Sequence, residues 1–474
     1  MLIEQIYTGC LAQGAYYIES EGEAAVIDPL RETAPYLQRA VRSGATIKYI
    51  LETHFHADFV SGHLDLSRKT GAAIVYGPTA QAGFSFMAVR DGEELRLGHC
   101  SIRILHTPGH TMESTCYLLK DEKGHERALF TGDTLFINDV GRPDLAQKID
   151  AGLTPEKLAG YLYDSLRNKI MPLRDDIVIY PGHGAGSACG KNLGIERTDT
   201  LRGQKRHNYA LRADLSKEDF IQQVTSGLTP PPAYFPANVL MNKQGYESFD
   251  KVLARGQQRL DPAAFEAAFR ETEALILDTR VAAAFSEGFI PHSINIGLEG
   301  DFAPWSATLI PDLNQAILLV TDAGREDEAI TRLARVGLDH CIGYLDGGIK
   351  AWKDAGKRVD RINSISAGEL AVLLSIAPIH LLDVRRNFEY LAEHAIHAEN
   401  IPLEYINDNM HRLDSDRTYY VYCSGGYRSM IFSSILRARG FHDLINIEGG
   451  FKAIRDTRKI CITNDASVRD REPN

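Results

Sequence analysis

The stretch "ETHFHADFVSGH", residues 52–63, follows the apolar run "IKYIL" and reads as the loop leaving the end of a buried strand. His54, His56 and Asp58 alternate in it, so three donor groups share one short loop. Further polar residues stand at the ends of other β-like runs: His110 in "HTPGH", Asp133 in "FTGDTLF" and His183 in "YPGHG". A lone histidine after a strand is commonly a hydrogen-bonded structural residue, but that explanation does not extend to the whole set. The set reads as a metal site on a rigid α/β frame. Next to Asp58 stands Phe59, whose ring has no lone pair to give a cation.

Outward from this loop, "AAVIDP", "IKYILET", "AAIVYG", "SIRILHT", "RALFTGD" and "DIVIYPGHG" alternate with helical stretches up to about residue 225, the pattern of a layered α/β domain. The Pro-rich "TPPPAYFPANV" (229–239) reads as a break in regular structure at the edge of that domain. Beyond it the chain repeats itself. "LILDTRVAAAFSEGFIPHSINI" (275–296) aligns without gaps on "HLLDVRRNFEYLAEHAIHAENI" (380–401), and "LARVGLDHCIGYLDGGIKAW" (333–352) pairs with "LRARGFHDLINIEGGFKAI" (436–454) after a one-residue slip. The expected organisation is three domains, residues 1–255, 260–357 and 363–460.

The 474 residues, 44% hydrophobic and 24% charged, suit a folded chain of two to four units at roughly one domain per 150 residues. A net charge of -11 with no basic run argues against nucleic acid as a partner. No run of about 18 apolar residues occurs, and "MLIEQIYTGCLAQ" lacks the pattern of a secretory leader, so no membrane association and a cytoplasmic location are expected. Seven scattered cysteines, an odd number, do not form a disulfide framework; only Cys189 and Cys423 have a context that suggests reactivity.

The H-x-H-x-D run, the PGH, the GD and the late GH, in that order, resemble the metallo-β-lactamase superfamily over about the first 250 residues. The resemblance implies a four-layer αββα sandwich with its metal site at one edge of the two sheets. In the two-metal hydrolases of that superfamily the residue after the Asp is a second-site histidine; here it is Phe59, which leaves the second position with too few ligands and favours one metal. "ETHFHADF" with "FTGDTLFINDVGRPDL" is most similar to the persulfide dioxygenases, where two His and one Asp hold one iron. By position these are His54, His110 and Asp133, with His56, Asp58 and His183 around them orienting ligands and water; with zinc, His56 could itself be a ligand. Arg142 in "VGRPDL" matches a family arginine near the substrate, or is a surface ion pair. The Gly-rich "GHGAGSACGKNLG" (182–194) departs from the glutathione-persulfide enzymes; its Cys189 either takes part in sulfur handling or is a small buried thiol.

In "YYVYCSGGYRSMIFSSILRARG" (419–440) a strand runs into a Gly-bearing loop from Cys423 to Arg428 and then a helix, a place where backbone N–H groups favour an anion and a thiolate. With "LLDVR" and "IEGGFKAI" it resembles the rhodanese sulfurtransferases, whose cysteine carries sulfur as Cys-S-SH. The resemblance makes Cys423 and Arg428 the catalytic pair and Ser424, Gly425, Gly426, Tyr427 and Ser429 the persulfide loop. The first copy reads "LLVTDAGREDEAI", with Asp322 at the cysteine position and a loop two residues shorter; it is a degenerate copy serving as spacer, docking face or dimer contact. Cys341 lies too late in that copy to replace it.

The expected fold class is therefore α/β: an N-terminal αββα metallo-β-lactamase sandwich followed by two rhodanese-like α/β domains. The expected activity is an Fe(2+)-dependent persulfide dioxygenase, one iron per chain, fused to a sulfurtransferase. It would oxidise a small-molecule thiol persulfide of the glutathione or coenzyme A type with O2 to sulfite and form thiosulfate through Cys423, in a homo-oligomer. The alternatives are a zinc-dependent thioester hydrolase and a non-catalytic persulfide carrier or sensor.

Overall fold

The computed structural model describes residues 1–145 and 152–463, which divide into two compact units: Met1–Lys251 with Leu333–Gly337, and Val252–Arg332 with the residues from Leu338 onward. In the first unit β1 (Leu2–Thr8), β2 (Gln13–Ser20), β3 (Glu23–Ile27), β4 (Thr46–Glu52), β5 (Ala73–Tyr76) and β6 (Met87–Ala88) form one sheet in sequence order. β7 (Glu94–Leu97), β8 (Cys100–His106), β9 (Thr115–Lys120), β10 (Glu126–Gly132), β11 (Val178–Pro181) and β12 (Asp199–Thr200) form the second.

Alternation along the strands shows how these sheets stack. From β3, Ala25 and Ile27 share a core with Leu51 and Val75 of their own sheet and with Tyr117, Leu119 and Phe130 of the other. Ala24 and Val26 face the opposite way, into a core with Tyr36, Ala40 and Leu66 from helices Ala34–Ser43 and His63–Thr70. On β9, Cys116 and Leu118 turn outward to Leu162 and Phe220 of helices Pro155–Ser165 and Lys217–Thr225. A period of two on each strand thus gives four layers, helix–sheet–sheet–helix, as expected. Each fully buried Leu, Ile or Phe in these cores contributes roughly 1.5–3 kcal/mol.

The Pro-rich stretch is not where the first unit ends. Helix Phe235–Gln244 starts inside it, with a proline in its first turn, where a missing N–H costs nothing. Asn242 on that helix accepts from Ser61 N–H (2.8 Å) and donates to the main-chain oxygens of His56 (2.8 Å) and Phe59 (2.7 Å). The residues beyond the prolines therefore pin the histidine loop in place.

The second unit contains β13 (Arg259–Leu260), β14 (Leu275–Asp278), β15 (Ile294–Asn295), β16 (Ile317–Val320), β17 (Cys341–Leu345), β18 (Asn363–Ile365), β19 (His380–Asp383), β20 (His394–Ala395), β21 (Glu399–Asn400), β22 (Tyr419–Tyr422), β23 (Leu444–Ile447) and β24 (Ile462–Thr463). Two five-stranded parallel sheets run β13-β17-β16-β14-β15 and β18-β23-β22-β19-β21, the same topology twice, while β20 and β24 pair separately. The repeat extends to side chains. Arg280 pairs with Asp278 as Arg385 does with Asp383, and Asn295 and Asn400 each donate to two main-chain oxygens, of Asp278 and Arg280 or of Asp383 and Arg385.

Candidate active sites

The first site is built at the C-terminal ends of β3, β4, β8, β10 and β11. Asp28, one residue past β3 and held at φ 48°, accepts from both the N–H and the hydroxyl of Thr53, each at 2.8 Å. With its proton committed to Asp28, the Thr53 hydroxyl accepts from His54 Nδ1 at 2.9 Å. His54 Nε2 is then left with a free lone pair. His110 reaches the same state differently: its Nδ1 lies 2.8 Å from the main-chain oxygen of Arg142, which can only accept.

The two Nε2 atoms lie 3.8 Å (His54) and 3.4 Å (His110) from Asp133 Oδ2, and the three groups each offer a ligand atom within 4.8 Å of the others. Asp133 is buried, and neither carboxylate oxygen has a hydrogen-bond partner. A buried, unpartnered carboxylate is costly, and with two lone pairs turned toward it the missing partner is a cation. Burial, helped by the charges of His56, His110 and His183, holds the His54 pKa well below the ordinary value, so the ring is neutral, as a ligand requires. His54, His110 and Asp133 fit one divalent metal.

His56 turns to another cluster. Its Nε2 lies 3.1 Å from Asp28 Oδ1 and 3.4 Å from Glu52 Oε2, and its ring stacks on Phe59 at 4.3 Å between centroids. Burial opposes its charge, but the two carboxylates outweigh burial and raise its pKa well above the ordinary value. Burial also pushes Glu52 up to about 7 and lowers His63, 3.6 Å from Glu52 Oε1, to about 3. Because Asp28 serves both His56 and Thr53, this cluster is tied to the orientation of His54.

His183 Nε2 lies 3.5 Å from Asp58 Oδ2 and 3.5 Å from Asp133 Oδ1, and Cys189 completes a group of three donors with Asp58 and His183. A thiol from the Gly-rich loop thus stands beside Asp58 and His183, at the position where Phe59 takes the place of a second-site histidine. Asp139 positions that loop by accepting from the N–H groups of Lys191 (2.7 Å) and Asn192 (2.6 Å). Burial, then the charges of Asp58 and Asp133, raise the Cys189 thiol well above its usual pKa, so it is held as S–H while the pocket carries no cation.

Arg142 also differs from expectation. Its guanidinium is buried, forked onto Asp144 (2.6 and 2.7 Å), and donates to the main-chain oxygens of Ala188 (3.2 Å) and Thr229 (2.5 Å). It is neither a surface ion pair nor a free fork for a substrate carboxylate. It clamps three loops together, and its own carbonyl sets the His110 tautomer.

In the second unit Cys423 follows β22 and is buried, with Gly426 N–H donating to its Sγ at 3.1 Å. Gly450 makes the loop possible. It sits at φ +55°, and a Cβ there would lie 2.2 Å from Cys423 O, so only glycine allows the approach. Arg428 points to Glu389, at 2.6 and 2.8 Å, and to Ser424 Oγ at 2.8 Å. Burial acts upward on Glu389, but Arg428 outweighs it and holds the carboxyl down at about 2. Ser429 donates to Asn446 Oδ1 at 2.7 Å, and Tyr427 donates to Gly297 O at 2.8 Å. Of the expected loop residues, Gly426 is therefore the one whose hydrogen bond meets the sulfur. Sequence reading passed over Glu389, although the repeat signals it, because Ala284 occupies the aligned position in the copy without a thiol.

These features define a class: an αββα sandwich with a buried His-His-Asp metal-binding group, followed by paired parallel α/β domains, one with a cysteine loop. Residues 8–183 match the metallo-beta-lactamase superfamily, and residues 261–355 and 366–457 each match the rhodanese-like domain. The chain belongs to the metallo-β-lactamase superfamily and carries rhodanese-like domains behind the first unit. It is 31% identical to the human mitochondrial persulfide dioxygenase ETHE1 over 223 residues, 46% of this chain and 78% of that one. It is also 30% identical to the hydroxyacylglutathione hydrolase GloC of Haemophilus influenzae, over 36% of this chain and 85% of that one. The solved structure of a metallo-beta-lactamase from Staphylococcus aureus covers 73% of this chain and 98% of its own, at 31% identity and a TM-score of 0.63.

Proposed function

We propose that the protein is an iron-dependent persulfide dioxygenase with a fused sulfurtransferase. The observation that carries this reading is the His54–His110–Asp133 group, with both Nε2 lone pairs freed, in one chain with the Cys423 loop. The likeness to the human persulfide dioxygenase supports it. Two histidines and one carboxylate would hold Fe(II), which when bound supplies redox chemistry with O2 and leaves coordination positions open.

The chain's own groups then have definite tasks. Thr53 and the Arg142 carbonyl fix the tautomers of the two histidines. His183 Nε2, between Asp58 Oδ2 and Asp133 Oδ1, is placed to hold the proton of an incoming R-S-SH. Phe136, buried with its ring edge-on to the His183 ring, excludes water around it. Cys189 accepts or positions the outer sulfur. The balanced reaction is RSSH + O2 + H2O giving RSH, sulfite and two protons: the outer sulfur is oxidised, O2 is reduced, and the S–S bond breaks. A Cys423 persulfide then passes its outer sulfur to sulfite, giving thiosulfate and the free thiol.

A second reading, a zinc thioester hydrolase, is favoured by the Asp58–His183–Cys189 donor group and by the hydroxyacylglutathione hydrolase relatives. Anaerobic purification followed by metal analysis, with oxygen uptake measured on glutathione persulfide and coenzyme A persulfide, separates the two. One iron per chain and oxygen consumption are expected. Two zinc ions per chain with thioester cleavage and no oxygen uptake would select the hydrolase. The faster persulfide identifies the carrier.

A further inference from the structure

We propose that the copy lacking a thiol is the anchoring wall of the Cys423 loop, with Tyr427 as the positioning residue; the proposal builds on the reading of Cys423 as a sulfur carrier. Tyr427 is the first residue of helix Tyr427–Ala438, immediately after Gly426, whose N–H donates to Cys423 Sγ. Its ring turns away from the sulfur into the other copy, where its hydroxyl donates to Gly297 O at 2.8 Å. Gly300 lies under the ring, and a Cβ there would come within 2.5 Å of Tyr427 Cζ. Gly300 is not at positive φ, so its backbone does not require glycine; the tyrosine ring does.

The rest of the helix continues the contact. Tyr427, Met430 and Ser434 are spaced at i, i+3 and i+7, one helical face. Met430 packs with Phe285 and Phe289, and Ser434 Oγ accepts from the N–H of Asn295 on edge strand β15 at 2.9 Å. The receiving loop is itself fixed from within its own copy, since Arg332 donates to Leu298 O (2.7 Å) and Gly300 O (3.0 Å). Arg332 belongs to helix Glu326–Ala334, the counterpart of the helix that follows Cys423. The copy that carries Asp322 at the cysteine position thus offers its loop 297–300 as the seat of the active helix. Through Tyr427 it fixes Gly426, and through Gly426 the hydrogen bond to Cys423 Sγ.

The test measures the thiol itself. In the full chain, alkylation of Cys423 by iodoacetamide is followed against pH and read from the Cys423 peptide by mass spectrometry. Tyr427→Phe is expected to slow alkylation at neutral pH about threefold to tenfold, the weight of one lost hydrogen bond, and to move the pH midpoint upward. Gly300→Ala should do the same by displacing the ring. In the Tyr427→Ala background, adding Gly300→Ala should cost nothing further, because the ring it strikes is gone. Wild-type rates and midpoints in both Tyr427→Phe and Gly300→Ala would overturn the proposal, as would independent, additive effects of the pair. Alkylation needs no sulfur transfer, so a wild-type chain that makes no thiosulfate refutes the sulfurtransferase reading and leaves this result standing on its own.

Discussion

Thr53 has no chemistry of its own at the metal group, yet its hydroxyl decides which nitrogen of His54 is free. Val has nearly the same shape without the oxygen, so Thr53→Val should leave the fold intact while Asp28 loses a donor and His54 loses its tautomer lock. Metal affinity, measured by competition with a chromophoric chelator, should fall about 10-fold to 100-fold, as for other groups that orient metal ligands, and Thr53→Ser should restore most of it. Unchanged affinity in the valine variant would show that His54 needs no such lock. His110→Ala removes a donor outright and should abolish both stoichiometric metal and oxygen uptake. The donors themselves were legible in the sequence because alternating His and Asp at a strand end have few structural explanations. Thr53 and Asp28 were not, because a threonine before a histidine and an aspartate after a strand are ordinary until their hydrogen bonds are seen. The role of Arg142 was not legible for a related reason: sequence shows a guanidinium but not that it already donates to Asp144, Ala188 and Thr229.

At the scale of elements, the GG turn before helix Gly450–Thr457 and helix Asn387–Ala392 hold the thiol loop from two sides. Gly450→Ala would place a methyl against Cys423 O and force a non-glycine residue to positive φ, at a cost of about 1–2 kcal/mol for the backbone alone. A lower denaturation midpoint together with slowed sulfur transfer is the expected result; an unshifted midpoint would mean the turn relaxes freely. Glu389 makes a pH prediction. Its folded pKa of about 2 lies below the ordinary 4.5, so the Arg428 pair contributes fully above about 4.5 and is lost as pH falls toward 2, where the unfolded chain takes up a proton that the folded one resists. Glu389→Gln should flatten the pH dependence of the urea midpoint within that window and leave the curve parallel to wild type above it. The strands carrying both sites were readable from their apolar runs and the repeat. Helix Phe235–Gln244 was not, because prolines at its start look like breakers until the first turn, where proline is tolerated, is placed among them.

On the whole molecule the two proposed chemistries constrain each other through stoichiometry. The dioxygenase reaction makes one sulfite per O2, and the sulfurtransferase reaction consumes one sulfite per thiosulfate, so the coupled chain should make one thiosulfate for each O2 and use two persulfide sulfurs. Cys423→Ser removes the sulfur carrier without touching His54, His110 or Asp133. Oxygen uptake should therefore stay at the wild-type rate while thiosulfate disappears and sulfite accumulates, one for each O2 consumed. Ion chromatography of both anions beside an oxygen electrode measures all three quantities in one sample. Sulfur flow in the opposite direction, with Cys423 feeding the first site, predicts a different pattern: the serine variant would lose oxygen uptake from thiosulfate-charged protein but keep it on free persulfide. Thiosulfate formed undiminished by the serine variant would remove Cys423 from the pathway. The same measurement on Cys189→Ser, whose thiol lies beside Asp58 and His183, would then show whether sulfur passes through that thiol instead.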